Sequence, residues 1–373
     1  MRRLLPLGLL AACLAGGLRA QPQSGAIPLD CGQPAVAVNL AGGSAVRANL
    51  SFHGQTGEAV YLRFLFKNVA PGFQTPGVQV VDAFGRVITP RPPTTSASTG
   101  GTSSTDTPVD LAGQGFEVDL PSESQYTVQI TNRTPDSPAT VLVTMARLNR
   151  PCGDGKALTC GRATSAEILT PLSPADTDHW GQMDTYQFNA NAGDVISYRL
   201  LRVAVSGGLD TGTGFYLAVY GPDGHVVNLT PGAVDPTTNV TGPARLPFAQ
   251  IYTHSEVTAA VNGTYTVLVF EPNGTRGGVY YVTGVKLNGG CGGPALTCTS
   301  TLDGQITTPL ATASYTVNVT SGDVYSFKIA RSDTSGSFAP SIAIYDSQGT
   351  LLDSLGPASA VSHAAATKNV TFR

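Results

Sequence analysis

The sequence predicts an all-β protein made of tandem β-sandwich domains, the third of them truncated. Three observations carry this. Charged residues make up 13% of the 373, about half the usual share, while Gly (43) and Pro (26) are plentiful. One alternating strand recurs three times along the chain. The spacings between landmark residues of the first two copies are identical. Turn-rich, β-branched, charge-poor composition favours sheets over helix bundles. A hydrophobic content of 41% is enough for packed cores.

The N-terminus comes first. Met1-Arg2-Arg3 is a short basic segment, Leu4 to Leu18 is apolar, and Ala20-Gln21 fits a cleavage point. This reads as a secretory signal peptide over residues 1–20 and stands outside the fold. A second reading competes with it: Leu10-Ala11-Ala12-Cys13 fits a bacterial lipobox, which would make Cys13 a lipid anchor. No later stretch approaches the ~18–20 apolar residues of a membrane helix, so the expectation is no transmembrane segment. The localisation expected is secreted or cell-envelope, with a lipid tether as the alternative.

The repeats are marked by a small residue, a glycine and an acid before a strand: Thr56-Gly57-Glu58, Ala192-Gly193-Asp194 and Ser321-Gly322-Asp323. In the strands that follow, Val60, Leu62 and Phe64 match Ile196, Tyr198 and Leu200, and again Tyr325, Phe327 and Ile329. Arg63, Arg199 and Lys328 fall on the alternate positions. Period-2 alternation puts the apolar set inside and the basic residue outside. An aliphatic strand with a glycine turn comes next, ending at Gly85, Gly224 and Gly349. From Gly85 to Tyr126 and from Gly224 to Tyr265 is 41 residues; from Tyr126 to Cys152 and from Tyr265 to Cys291 is 26. Equal spacings imply one fold copied. The domains expected are 21–151, with a Pro/Thr/Ser/Gly-rich flexible loop over 90–115; 152–290; and 291–373, an incomplete copy lacking its last two strands.

The cysteines follow the same period. Cys152 to Cys160 reads CGDGKALTC, and Cys291 to Cys298 reads CGGPALTC. In an oxidising compartment these read as two short-loop disulfides, Cys152 with Cys160 and Cys291 with Cys298. Zinc is the rival, but its cysteine pairs usually enclose two to four residues, fewer than here. Cys31, in LDCGQP, aligns with Cys160 and Cys298 and is left as the odd thiol.

The chemistry that the residues could carry is sparse. Net charge is -3 and no run of five Lys/Arg occurs, which argues against a nucleic-acid partner. The five histidines occupy unrelated repeat positions, and neither H-E-x-x-H nor G-x-S-x-G is found. Asp210-Thr211-Gly212 resembles half of an aspartic-protease pair but has no second copy. The expectation is no catalytic residue and no enzyme activity. Asp176, Asp178 and Asp184 offer hard oxygen ligands, so calcium is the one cofactor to test; the competing reading is a solvated loop. Trp180, the only Trp, could stack on a sugar or anchor a loop. Of the adjacent Tyr280 and Tyr281, one must face outward.

The second unit contains Asp184-Thr185-Tyr186-Gln187-Phe188, Ala192-Gly193-Asp194, Val219-Tyr220-Gly221-Pro222-Asp223-Gly224 and Asn262-Gly263-Thr264-Tyr265-Thr266-Val267. In order and spacing these phrases resemble the bacterial pre-peptidase C-terminal domain over most of 160–288, and over 298–373 as a shortened copy. Unit 1 departs most. The resemblance implies a jelly-roll-like sandwich, a non-catalytic accessory module of secreted proteins, some of whose relatives bind calcium or polymers such as collagen. The partner expected is an extracellular protein or polysaccharide. Two alternatives stay open: the accessory region of a secreted hydrolase, and a calcium- or glycan-binding module in its own right.

Overall fold

The computed structural model describes residues 25–40, 47–67, 74–91, 109–110, 115–133, 139–150, 152, 155–169, 180–203, 215–227, 230–231, 252–271, 277–330, 340–355 and 366–372. Those residues form sheets and turns with no helix. The chain is a tandem array of β-sandwiches.

Unit 1 runs β1 (Ile27–Pro28), β2 (Val36–Leu40), β3 (Arg47–Gly54), β4 (Ala59–Lys67) and β5 (Gly77–Val81). It continues with β6 (Val87–Ile88), β7 (Val109–Asp110), β8 (Phe116–Asp119), β9 (Ser124–Thr131) and β10 (Ala139–Arg147). One sheet has the order β1-β3-β9-β5-β6, with β7 also on β5; the other is β2-β10-β4-β8. Of the stretch 90–115, β7 is thus paired into a sheet, and 92–108 and 111–114 lie outside the described residues.

Unit 2 repeats the plan. It runs β11 (Lys156–Ala157), β12 (Thr164–Ile168), β13 (Met183–Ala190), β14 (Val195–Arg202) and β15 (Tyr216–Tyr220). Then come β16 (Thr230–Pro231), β17 (Tyr252–Thr258), β18 (Gly263–Phe270) and β19 (Gly278–Lys286). Its sheets are β11-β13-β18-β15 and β12-β19-β14-β17-β16. Strand for strand, β11-β13-β18-β15 matches β1-β3-β9-β5, and β12-β19-β14-β17 matches β2-β10-β4-β8.

Unit 3 has β20 (Ala295–Leu296), β21 (Thr316–Val317), β22 (Val324–Ile329), β23 (Ile342–Tyr345), β24 (Leu351–Leu355) and β25 (Ala366–Thr371). The pairs are β20-β21, β22-β25 and β23-β24. β20 meets β21 in parallel, as β1 meets β3 and β11 meets β13. β22 has β25 on one side; the neighbour that β10 and β19 provide in units 1 and 2 has no counterpart among the described residues.

The cores sit where the alternation puts them. Val60, Leu62 and Phe64 are at most 1% exposed and pack with Val128, Ile130, Val141 and Val143 between the sheets of unit 1. Ile196, Tyr198 and Leu200 do the same with Val267, Val269 and Val282 in unit 2. Tyr325 and Phe327 pack on Ile344, Val370 and Phe372 in unit 3.

The recurring phrases also acquire a structural meaning, as turn fasteners. The acid of each small-Gly-acid phrase accepts the backbone N–H three residues before it. Glu58 accepts from Gln55 (2.9 Å), Asp194 from Asn191 (2.8 Å) and Asp323 from Thr320 (2.8 Å). Glu58 is also salt-bridged to Arg147, and Asp194 to Lys286 at 2.6 Å, the same pair one unit on. Tyr126 donates its hydroxyl to the Ser122 carbonyl (2.6 Å), and Tyr265 donates to Val261 (3.0 Å). Each tyrosine ties the entry of its strand to the loop four residues earlier, which satisfies a buried hydroxyl.

The disulfides correct the sequence reading. Cys31 bonds Cys152, and Cys160 bonds Cys291; Cys298 is a free, exposed thiol. The pairs Cys152 with Cys160 and Cys291 with Cys298 do not form. The reason is topological. Cys152 follows β10, the last strand of unit 1, and its Sγ accepts the Arg147 N–H. Past Cys152 the chain leaves for unit 2, where Lys156 and Ala157 pair with β13, so Cys160 is carried into the next sandwich. Each bond joins the first cysteine of a unit to its last, across 121 and 131 residues of sequence.

Candidate functional site

The most elaborate constellation of polar and aromatic side chains lies where one sandwich meets the next. β4 shows why. Its inward residues fill the unit 1 core, yet its outward residues Ala59, Tyr61, Arg63 and Leu65 are also buried, at 0, 8, 2 and 5% exposure. A strand buried on both faces in a two-layer sandwich needs a third layer. Unit 2 supplies it with the outer face of β15 and β18. Ala59, Tyr61, Ala146 and Leu148 of unit 1 pack against Ala218, Tyr220 and Leu268 of unit 2.

Arg63 is the charged centre of this junction. Period-2 alternation put it outside its own sandwich, which is right; it does not reach water, because the next sandwich is there. Its guanidinium donates to the Gly181 carbonyl (3.3 Å) and to the Glu271 carbonyl. It also lies 4.8 Å from the centre of the Phe270 ring. Burial lowers the Arg63 pKa, while Tyr61 and Glu271 act to raise it. Guanidinium keeps its charge in such settings and suits planar, multi-donor contacts of this kind. Thr144 donates to the same Gly181 carbonyl at 3.3 Å.

Two further contacts cross the junction. Tyr220 donates to Glu117 Oε1 at 3.0 Å. Arg91, ion-paired with Glu117 (3.4 Å) and Asp119, donates to the Gly224 carbonyl at 2.5 Å. The turn at Gly224 is pressed onto unit 1. A Cβ on that residue would stand 2.4 Å from Ala59 Cβ, and its φ of +74° already favours glycine.

The junction between units 2 and 3 uses the same positions. A Cβ on Gly349, which matches Gly224, would stand 2.7 Å from Val195 Cβ, and Val195 matches Ala59. Arg199, which matches Arg63, donates to Thr312 Oγ1 at 3.4 Å. Ser197 and Val285 are 0 and 3% exposed on the outward face of unit 2. At both junctions an asparagine fixes the strand start. Asn149 accepts the Ala59 N–H (3.0 Å) and donates to Gly57 O (2.8 Å). Asn288 accepts the Val195 N–H and donates to Gly193 O, both at 2.7 Å. Beside this second junction a cavity of about 630 Å³ opens between Gly161-Arg162, the Cys160–Cys291 bond, Asp303 and Tyr315.

The residues singled out from sequence fall in different places. Trp180 is half-buried and anchors to Ala35, Leu65 and Leu142 of unit 1, so its ring is part of the first junction. Asp176, Asp178, Cys13 and the Asp210-Thr211-Gly212 triplet lie outside the described residues. Asp184, the one described member of the acidic trio, is hydrogen-bonded within unit 2. Its Oδ2 accepts the Tyr280 hydroxyl at 2.5 Å, its Oδ1 accepts from Gln182 at 3.3 Å, and the Tyr186 and Tyr280 hydroxyls are 2.6 Å apart. Burial, with Asp184 nearby, raises the pKa of both tyrosines, so they remain neutral donors. In unit 1 the matching residues are Ala48, Leu50 and Val141, an apolar solution to the same packing. Tyr280 is buried and Tyr281 half-exposed.

Among the described residues no group of three or more His, Cys, Asp or Glu side chains comes together as a metal site. No helix among them is long and apolar enough to cross a membrane. Sequence reasoning missed the junction itself. The available signal was the outward face of β4, where Ala59, Tyr61 and Leu65 accompany Arg63; a solvent face would carry more polar residues.

No protein-family model matches the chain, and no curated protein matches it. Among solved structures it is similar to the CUB1-EGF-CUB2 domain of human MASP-1/3. That similarity covers 67% of this chain and 99% of that chain, at 12% identity and a TM-score of 0.17.

Proposed function

We propose that this chain is an exported, non-catalytic repeat protein of the pre-peptidase C-terminal kind, a directional array of sandwiches with a structural or adhesive role outside the cell. The observation that carries the reading is how the polar residues of the recurring phrases are used. Glu58, Asp194, Asp323, Tyr126 and Tyr265 fasten turns; Arg63 and Arg199 bridge units. A catalytic constellation needs a nucleophile or base aimed into a cleft with its own orienting group, and these side chains are committed elsewhere. Two long-range disulfides support an oxidising compartment, as does the apolar N-terminal segment. A disulfide from first to last strand also suits a module that bears load, since it holds the sandwich closed when its ends are pulled.

Intact mass of the non-reduced protein, taken from the medium and envelope fractions of its host, tests the export claim. A start at Gln21 or at a lipidated Cys13, with four hydrogens missing for two disulfides, supports the reading. A chain that keeps Met1 and carries only thiols in the cytosol would sink it.

A further inference from the structure

Three strands hold one place in three successive sandwiches, and two of them are covered. Outward on β4 stand Ala59, Tyr61 and Arg63, all buried under unit 2. Outward on β14 stand Val195, Ser197 and Arg199, with Ser197 at 0% exposure and Arg199 bonded to unit 3. Outward on β22 stand Val324, Ser326 and Lys328, and all three are exposed, Val324 by 65%. The pattern is the same in chemistry as in position. An aliphatic residue receives the next unit's glycine turn, a hydroxylated residue follows, and a long cation then reaches across.

The face that does the covering has its own pattern. Unit 2 presents Ala218 and Tyr220 from β15, Leu268 from β18, and the turn at Gly224. Unit 3 carries Ala343 and Tyr345 on β23, the same Ala-x-Tyr with glycine four residues later, and its turn at Gly349 meets Val195 of unit 2. Unit 1 departs from it. Its matching residues are Gln79, Val81 and Gln129, and the two glutamines bond each other at 2.6 Å. Asn49, Ser51 and Thr127 extend the same outer face. A repeat whose outer face is polar terminates an array, whereas an apolar or patterned face continues it.

We propose that the outward face of β22 is a docking surface for another sandwich of this kind, one that presents an Ala-x-Tyr strand and a glycine turn, and that unit 1 is the capped end of the array. The contact is heterologous, since the docking and receiving faces differ. Copies of this chain therefore do not polymerise: the docking faces of units 2 and 3 are turned to their neighbours within the chain, and that of unit 1 has the Gln79–Gln129 pair beside the buried Val81 in place of Ala, Leu and Tyr. The partner is defined by continuity with the two filled junctions. The proposal is independent of export, which could fail without affecting it.

The test rewrites the cap. In the full chain, Gln79→Ala, Val81→Tyr and Gln129→Leu copy the docking face of unit 2 onto unit 1. Each molecule then carries both a docking and a receiving face. Sedimentation over a concentration series should show wild type as a monomer. The triple variant should rise about twofold or more in weight-average mass, as a head-to-tail contact requires. Adding Val324→Glu and Lys328→Glu should return it to a monomer. Gln129→Leu alone changes one half-buried side chain of that face and removes the Gln79 bond; it should show weaker association that the same two changes abolish. A folded triple variant that stays monomeric overturns the proposal. So does association that survives Val324→Glu and Lys328→Glu, or a wild type that associates through β22.

Discussion

Removing the Cys160–Cys291 bond should cost unit 2 much more stability than a local disulfide could provide. The bond spans 131 residues, and the chain-entropy relation gives about 5 kcal/mol for a loop of that length. A Cys152–Cys160 bond would close a loop of nine residues, for which the same relation gives about 2.5 kcal/mol. The double variant Cys160→Ser with Cys291→Ser should therefore lose about 5 kcal/mol in denaturant unfolding followed by circular dichroism. Cys298→Ser is the control. Its thiol is free, so the unfolding midpoint should stay where it is. Non-reducing peptide mapping gives the connectivity directly, with Cys31 linked to Cys152 and Cys160 to Cys291. A peptide that holds Cys152 to Cys160, or a Cys298→Ser variant weakened by about 2.5 kcal/mol, would refute the reasoning.

Other expectations follow from the same contacts. Tyr265→Phe removes the bond to the Val261 carbonyl and should destabilise by about 1–2 kcal/mol, and Tyr126→Phe should do the same through Ser122, both read from chemical denaturation. Arg63→Met keeps the bulk of the side chain but leaves the Gly181 and Glu271 carbonyls without their guanidinium; a loss of about 1–3 kcal/mol is expected, with altered Trp180 fluorescence because that ring sits at the same junction. Stability should fall in acid. Burial would raise the Asp82 and Asp194 pKa values. The Arg86 and Phe84 N–H groups with the Arg86 side chain, and the Lys286 side chain with the Asn191 N–H, hold them below the ordinary carboxylate value instead. Groups depressed in the folded state stabilise it above the unfolded pKa and lose that contribution as pH falls through the folded one. Melting temperature should accordingly hold from neutral pH down to about 4 and drop below it. A midpoint that rises on acidification would contradict those contacts.

Much of the architecture is legible in the residues, and the misses have a common cause. Alternation placed Val60, Leu62 and Phe64 inside and Arg63 outside, because a pleated strand has only two sides. It cannot say whether the outside is water or another sandwich, and here it is another sandwich. The cysteines show the same limit. Cys152 and Cys160 are close in sequence, and proximity made them look like partners, yet they belong to different units. The clue was Cys31, which shares its position with Cys160 and Cys298; pairing each unit's first cysteine with its last accounts for it and leaves Cys298 over. The contact that Asp184 makes in unit 2 was not legible either. Its partner Tyr280 is 96 residues away on β19, and no local pattern announces a contact of that range. Trp180 could not be assigned from sequence because its environment is made by unit 1, by Ala35, Leu65 and Leu142 on separate strands and loops of another sandwich.

The central claim is that successive units are docked through one recurring junction, and small-angle scattering on the full chain tests it most directly. Ala59 is fully buried between units and points away from the unit 1 core, so Ala59→Glu places an unpaired charge under the Gly224 turn and leaves both cores intact. Wild type should fit one rigid arrangement of units 1 and 2, and Ala59→Glu should show a larger maximum dimension with unchanged circular dichroism. Scattering that is identical for the two proteins, or a wild type that behaves as freely jointed sandwiches, would contradict the account.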